Sequence, residues 1–575
     1  MRYLEAVRIC GAKSSWEPNR MNWSLTLSEE VKEPIINATS YAGAEISPLR
    51  PKYSEKTPPC IIHCPNGTDI RGWLTSIAQA EDFGRTNEQA LELAWHKITA
   101  VNPFPAVCGR VCPHPCEANC SRKDKDGAVA INAMERFVGD FGIARGLKLT
   151  RLSKEKFPEK IAVIGSGPAG LSCAYQLSRR GYPVTVYEAF SLPGGMLRYG
   201  IPKYRLPRDV LDAEIHRILD LGVELKCNMV VGKDVSLEQL HEDCKVIFVG
   251  IGAHKGLKLG VKGEDASNVF TGTEFLNRAN SGEDVEVGHK VVVIGGGDTA
   301  IDAARVSKRL GAEVTILYRR TKTEMPAIAS EIEGALEEGV KIEFLAAPIE
   351  VLRNGRSAVG LRCIRMELGP PDSSGRPRPV PISGSEFEVD ATTIIAAIGQ
   401  EPSFDNIPGL REGKDWIKVD DWGATKSARI YAGGDDVELG LVITAIARGR
   451  FAADAIDAYL RNKQLTKPAP LPEAKNVILD WYREMGPHER SRVPVEQREM
   501  DTEIEAGLSE DDAIDEAKRC MSCGLCMDCE TCWMYCTNNC FVRLPKGEHY
   551  KIKLEACNGC KKCAEACPTG YIDLI

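Results

Sequence analysis

Long apolar runs are missing from this sequence. The longest, around Ile161 and Val291, are strand-length and end in glycines, too short to span a bilayer. The N-terminus, MRYLEAVRICGAKSSWEPNR, lacks the apolar core of a secretory signal. We therefore expect a soluble, cytoplasmic protein with no membrane association. Positive charge is in short supply as well: 73 lysines and arginines face 81 acidic residues, a net charge of −8. Nothing in that balance neutralises phosphates along a continuous face, which excludes a general nucleic-acid role.

What is abundant is cysteine. The chain has 575 residues, enough for about three or four domains, and 22 of them are cysteines. In a small exported protein these would read as disulfides; in a large chain without an export signal, clustered cysteines read as metal ligands. Six fall between Cys60 and Cys120 and eleven between Cys520 and Cys567. The five scattered ones (Cys10, Cys173, Cys227, Cys244, Cys363) read as small buried apolar residues.

Residues 1–155 read as cysteine-bearing helices joined by proline-rich loops. Two internally similar strand–glycine–helix units follow, KIAVIGSGPAGLSCAYQLSRRG and KVVVIGGGDTAIDAARVSKRLG. The expected fold class is α/β, with two Rossmann-like dinucleotide-binding domains, a helical Fe–S domain before them and a ferredoxin-like 2[4Fe–4S] domain after them. We expect one dinucleotide-binding domain at 156–285 and 401–463, the other at 286–400, and a semi-rigid linker at 464–515. The cysteine-rich module at 516–575 is too small to hold a core without metal.

In the first unit a strand runs into Gly165-Ser-Gly167-Pro168-Ala169-Gly170 and then into a helix. The first glycine allows a tight turn, the second lets the backbone approach a pyrophosphate, and the third lets helix and strand pack closely. The next strand, VTVYEA, ends in Glu188, a carboxylate suited to the hydroxyls of a ribose. Farther on, YAGGDDVELGLVITAI resembles the C-terminal FAD signature of flavoproteins with two dinucleotide-binding domains. That likeness implies that Gly434 and Asp435 hold the ribityl chain, with Thr444 and Ala445 beside the flavin; read alone, Asp435 is also a plain helix cap.

The second unit carries Gly295-x-Gly297-Asp298-Thr299-Ala300. Its next strand ends in Tyr318-Arg319-Arg320 where an acidic residue would select NADH, and guanidinium groups suit a 2′-phosphate. NAD(P)H binding is expected, with NADPH favoured over NADH; solvated arginines at a strand end remain the alternative for Arg320.

At the C-terminus, Cys557-x-x-Cys560-x-x-Cys563-x-x-x-Cys567-Pro568 follows a matching run, Cys526-x-x-Cys529-x-x-Cys532-x-x-x-Cys536, in which Thr537 replaces the proline. Three closely spaced thiolates cap three irons of one cube, and the fourth reaches the other cube. This assigns Cys526, Cys529, Cys532 and Cys567 to one [4Fe–4S] cluster, and Cys557, Cys560, Cys563 and Cys536 to the other. Zinc is the competing reading of paired Cys-x-x-Cys motifs. Cys540 is left unassigned.

Over about residues 55–462 the sequence resembles the small subunit of bacterial glutamate synthase and its relatives. The likeness rests on CGRVCPHPCEANC, AINAMERF, VIGSGPAGLSCA, PGGMLRYGIPKYRLP, VVVIGGGDTAIDAAR, YRRTKTEMPA and YAGGD, in that order. It implies hydride transfer from NAD(P)H to FAD and single-electron export through clusters, with Gly194, Gly195 and Met196 close to the flavin. It also implies two N-terminal clusters. One would take Cys64, Cys112, Cys116 and a carboxylate at Glu135; the alternative leaves Glu135 as an ion-paired helix residue. The other would use Cys60 and Cys120, but the Cys-x-x-Cys pair usual just upstream is absent here. DEAKRCMSC near the C-terminus resembles that missing stretch, so Cys520 and Cys523 are expected to fold back and complete the cluster; otherwise these four thiols are free.

Hydride arrives as an electron pair and cubane clusters accept one electron at a time, so a flavin between them must convert one into the other. No catalytic acid or base is expected. The ferredoxin tail, the ending CPTGYIDLI and the N-terminal departure are similar to the iron–sulfur flavoprotein partner of dissimilatory sulfite reductase, which implies that partner and a place in sulfur metabolism. An electron-transfer subunit of a 2-oxoacid:acceptor oxidoreductase (phenylglyoxylate dehydrogenase type) or of glutamate synthase is the second reading, and a passive electron-wiring subunit the third. A homodimer is expected from family habit.

Overall fold

The computed structural model describes residues 47–372, 375–412, 416–467 and 469–575. Cys10 and residues 1–46 of the expected first domain lie outside them. Among the described residues no helix is long and apolar enough to cross a membrane.

The N-terminal part is helical, as its amphipathic segments require. Asp69 caps the helix Ile70–Ala78 by accepting from the Gly72 N–H, and Thr86 with Gln89 forms a capping box on Asn87–Thr99. Their apolar faces bury Trp73 and Trp95, and a third long helix, Ile131–Ala144, packs beside them.

Two parallel five-stranded sheets follow. The first runs in the order 430–432, 246–249, 161–164, 184–187, 224–226, and its central strands are apolar on both faces because helices cover both. The second runs 341–344, 313–318, 290–294, 393–396, 269–271. Its edge strand, Val269–Thr271, lies on the FAD side of the boundary expected at 285/286, yet it pairs with Thr393–Ala396 in the NAD(P) sheet. An antiparallel four-stranded sheet of residues 346–390 packs beside it.

The first and last parts of the chain are joined. Strand Pro51–Tyr53 pairs antiparallel with Ile572–Leu574, and Lys56 bridges to Asp573 at 2.6 Å. The helix Glu510–Lys518 packs on Ile70–Ala78, and its buried Glu516 and Arg519 form an ion pair at 2.6 Å. Glu516 accepts the Ala130 N–H at 2.7 Å, and Arg519 donates to the Ala128 carbonyl at 2.8 Å.

The segment expected as a linker is packed along much of its length. Ile504 is buried in the NAD(P)-domain core and donates its N–H to the Tyr204 carbonyl at 3.2 Å. Arg498 pairs with Glu337 and Glu338, while Glu503 accepts from Arg110 at 2.7 Å and from Arg136 at 3.0 Å. This strap ties three parts of the molecule together.

Candidate electron-transfer site

The largest of the described cavities, about 380 Å³, opens at the C-terminal ends of the first sheet. Gly165, Gly167, Pro168, Ala169, Glu188, Gly195, Met196, Gly434, Asp435 and Ala445 line it, as expected. Three glycines explain the local shape. A Cβ on Gly165 would strike the Gly250 carbonyl, one on Gly170 would strike the Gly165 carbonyl, and one on Gly167 would meet nothing within 4 Å. The space at Gly167 is where a bound pyrophosphate would approach the backbone. The helix Pro168–Ser178 has no side-chain cap, so its first N–H groups are left for an anion.

Glu188 is buried and accepts from the Ser166 N–H at 2.9 Å, from the Ser166 hydroxyl and from the Phe190 N–H at 2.8 Å. A carboxylate has about four acceptor positions, so one remains for a ribose hydroxyl. Asp435 accepts the Gly440 N–H at 3.1 Å, and burial pushes it up to about 6. Its neighbour Asp436 is fully buried and off the cavity wall, accepting the Ile251 N–H at 3.1 Å. Thr444 does not line the cavity; Leu441 and Val442 do. Gly194 lies just behind it, donating to the Ser166 carbonyl at 3.1 Å. The sequence reading missed Met229–Val231, Gly250–Gly252, His254 and Asn406, which sit on loops without a glycine fingerprint of their own.

Thr299, at the start of the helix Asp298–Arg309, lies on the wall of the same cavity. The uncapped start of the second nucleotide helix therefore meets the flavin cavity directly. Gly295 and Gly297 form its approach, and Ala300 is fully buried where helix and strand pack. The two arginines part company. Arg319 is exposed at the strand end. Arg320 is buried, paired with Asp372 at 2.6 Å, and donates to the Pro377 carbonyl at 2.8 Å. Arg320 is thus held by the antiparallel sheet and not offered to a nucleotide.

The expected cysteine groupings come together. Cys60, Cys120, Cys520 and Cys523 line one small cavity with Arg71 and Leu74. Cys526, Cys529, Cys532 and Cys567 line a second, and Cys536, Cys557, Cys560 and Cys563 a third, which Cys540 also enters. In the fourth grouping, burial and then the nearby Glu135 push Cys112 up to about 12, with Cys64 adding to the effect. Cys116 is raised by burial and by Glu117, Cys112, Glu135 and Cys64. Glu135 itself is half-buried, and burial raises it to about 7 although Asn102 donates to it at 3.0 Å. Among the described residues it has no cationic partner, so the ion-paired alternative is not what the structure builds. Partly buried thiols and a partly buried carboxylate without countercharge suit a metal cluster.

These sites are mechanically connected. The helix Val442–Leu460 starts at the flavin cavity and carries Arg450, which donates to Asn66 Oδ1 at 3.1 Å and to its carbonyl at 2.8 Å, two residues beyond Cys64. On the other flank Glu214 accepts the N–H groups of Ala106 and Val107 at 2.9 and 3.0 Å, capping the helix that leads to Cys112. Burial pushes Glu214 up to about 8.

Two facing nucleotide folds with clustered thiols on either side define an iron–sulfur flavoprotein of the two-nucleotide kind. The chain belongs to the pyridine nucleotide–disulphide oxidoreductase family, whose model matches residues 159–449. Residues 53–147 match dihydropyrimidine dehydrogenase domain II, 4Fe-4S cluster, and residues 550–572 match a 4Fe-4S binding domain. The chain is 37% identical over 560 residues to the NADPH-Fe(3+) oxidoreductase subunit beta of Geobacter sulfurreducens, covering 87% of this chain and 82% of that one. It is 38% identical over 516 residues to the NADP(+)-dependent formate dehydrogenase subunit beta of Moorella thermoacetica, covering 81% and 70%. It is 37% identical over 460 residues to the glutamate synthase [NADPH] small chain of Escherichia coli, covering 75% and 93%. The protein is an NAD(P)H-dependent iron–sulfur flavoprotein oxidoreductase that binds FAD and at least one iron–sulfur module.

Proposed function

We propose that this chain is the electron-exchanging subunit of a larger NADP(H)-linked enzyme, carrying electrons between NADP(H), FAD, four [4Fe–4S] clusters and a protein partner. The observation that carries the reading is the meeting of Cys60 and Cys120 with Cys520 and Cys523 at one cavity, which links the N-terminal cluster region to the ferredoxin module. The relatives above are named as subunits of an iron(III) reductase, a formate dehydrogenase and a glutamate synthase. They support the second sequence reading, a subunit of a multisubunit oxidoreductase of the glutamate synthase type, better than a dissimilatory sulfite reductase partner.

The residues divide as follows. Gly165, Gly167, Gly170 and Glu188 hold the FAD phosphates and ribose; Gly195, Met196, Asp435 and Ala445 surround its flavin end. Gly295, Gly297 and Thr299 receive the nicotinamide nucleotide, and Arg319 its 2′-phosphate. The cluster ligands are Cys64, Cys112, Cys116 and Glu135; Cys60, Cys120, Cys520 and Cys523; Cys526, Cys529, Cys532 and Cys567; and Cys536, Cys557, Cys560 and Cys563. When bound, FAD supplies the conversion between hydride and single-electron chemistry. The chain's own work is to hold the rings in register, exclude water and fix the ligands. Supporting this, Thr299 shares the flavin cavity, so the two nucleotides meet without a domain rotation.

The test is an anaerobic titration of the purified holoprotein with NADPH and, separately, NADH. Bleaching of flavin and then cluster absorbance, with about 16 irons per chain at four per cluster, is the expected result. A fully loaded protein that neither nucleotide reduces would leave the passive wiring role as the better account.

A further inference from the structure

Between Tyr204 and Leu206 the chain crosses from one core to another. Tyr204, 1% exposed, is packed in the core of the second sheet, and Leu206, fully buried, in the core that the first sheet shares with the N-terminal helices. The crossing follows the short helix Met196–Tyr199, whose first residue lines the flavin cavity.

Both side chains at the crossing are spent on one helix. Tyr204 donates its hydroxyl to Asp302 Oδ1 at 3.2 Å, and Arg205 donates to Asp302 Oδ2 at 2.7 Å. The side chains of Arg205 and Asp302 are only 7% and 5% exposed, so this is a buried ion pair. Arg305 and Arg309 lie over the Tyr204 ring, 4.8 and 4.1 Å from its centroid. Asp302, Arg305 and Arg309 follow the three- and four-residue spacing of one face of the helix Asp298–Arg309. Thr299, three residues before Asp302, lies on the wall of the flavin cavity. On its other side the loop is held by the strap, where Ile504 donates to the Tyr204 carbonyl.

We infer that Tyr204 and Arg205 are positioning residues for hydride transfer: they bolt the helix Asp298–Arg309 to the segment that carries Met196, and so set how the nicotinamide site at Thr299 meets the flavin. This role rests on the nucleotide assignment proposed above. Neither side chain lines the flavin cavity, so each acts through the helix and not on the reacting rings. Apolar packing between loop and helix would tolerate a slide. A buried ion pair does not, because a slide separates two charges that have no water to replace the partner. Misplacing reacting groups by about 1 Å costs about 100-fold in rate, so a fixed register is what the transfer needs.

The experiment compares full-length holoprotein carrying Arg205→Met/Asp302→Leu, Arg205→Lys or Tyr204→Phe with wild type. The double variant removes both charges together, so no lone buried ion is left, and Glu331 keeps its pair with Arg305. Rapid anaerobic mixing with NADPH gives the limiting rate of flavin bleaching and, from its concentration dependence, the Kd. In the double variant the limiting rate should fall about 10- to 100-fold with the Kd, FAD and iron unchanged. Arg205→Lys, which keeps the charge, should recover part of the rate, and Tyr204→Phe, which loses one hydroxyl, should show the same change in smaller measure. Hydrogen exchange, read without turnover, should quicken in the double variant at 200–206 and in the helix Asp298–Arg309 but not in the first sheet. An unchanged limiting rate in the loaded double variant would overturn the inference. So would a raised Kd at an unchanged rate, or a loss of FAD, since either makes the pair part of a binding site. Wild type that neither nucleotide reduces would instead defeat the proposed function, and this role with it.

Discussion

Arg71 donates from its guanidinium to the carbonyl of Cys523 at 2.9 Å, across 452 residues of sequence. Its other bonds, to the Lys56 carbonyl at 2.7 Å and to Glu55 at 3.0 Å, hold the chain segment that leads to Cys60. One buried cation thus sets both halves of the mixed thiol site. Beside it, Thr75 and Ser522 hydroxyls meet at 3.1 Å, and Gln79 donates to the Met527 carbonyl at 3.0 Å. The C-terminal module is clamped to the first domain in the register that the shared site needs.

The double variant Cys520→Ala/Cys523→Ala should therefore lose one cluster while leaving the ferredoxin-type pair in place. We expect iron to fall by about four per chain with FAD content unchanged. Loss of about eight irons, or none, would show that these thiols do not complete a site with Cys60 and Cys120. Iron and flavin assays on the same preparation decide it.

Features with a local signature were legible in the sequence. The glycines of both nucleotide units and the two four-cysteine runs are such features, because each motif does its work within one turn of chain. The approach of Cys520 and Cys523 to Cys60 was legible too, because DEAKRCMSC resembles the Cys-x-x-Cys stretch that is missing upstream of Cys60. What escaped depends on distant partners. Pro51–Tyr53 is three residues long and begins with proline, so nothing local marks it as a strand; only Ile572–Leu574 makes it one. The Arg-rich segment around Arg490–Arg498 looks like a solvated connector until Glu337, Glu338 and Tyr204 are placed against it. Arg320 reads as a phosphate ligand because Asp372, its partner 52 positions on, is invisible to a local reading.

Glu214 should make stability depend on pH. It is held at about 8 in the folded chain by burial, against about 4.3 for an unfolded glutamate. The folded state therefore keeps a proton that the unfolded state releases. Its contribution is fully present below the unfolded value and is lost as pH rises toward about 8. Glu214→Gln should flatten this slope and, by weakening the cap on Ala106 and Val107, cost about 1–2 kcal/mol at low pH. Melting curves of both proteins between those limits check the sign: the gap should narrow as pH rises.

The strap should behave as a structural clamp. Arg498 is buried with Glu338, which Arg305 and Arg309 also hold, at 2.6 and 2.8 Å. Removing Arg498 leaves Glu338 two cations, so Arg498→Ala should cost about 1–3 kcal/mol, less than the full loss of a buried pair. Limited proteolysis should then open the chain between Arg490 and Glu505 faster than in wild type. Lys518→Ala, which breaks only the exposed pair with Asp515, should leave the pattern unchanged.

The choice between nucleotides should rest on Arg319 alone. It is exposed at the end of the strand that follows the Gly295 fingerprint, and no described carboxylate pairs with it. Arg320 is fixed by Asp372 and by the Pro377 carbonyl, and turning it toward a phosphate would break both contacts. Arg319→Ala should raise KM for NADPH by about 10- to 100-fold, the worth of a charge-assisted phosphate contact, and leave NADH almost unaffected. Arg320→Ala should lower thermal stability through the lost ion pair while leaving the NADPH-to-NADH ratio where it was. Steady-state rates with a dye acceptor and both nucleotides separate the two arginines. A loss of NADPH preference in Arg320→Ala, with Arg319→Ala unchanged, would mean that the 2′-phosphate is read from the buried side of the strand.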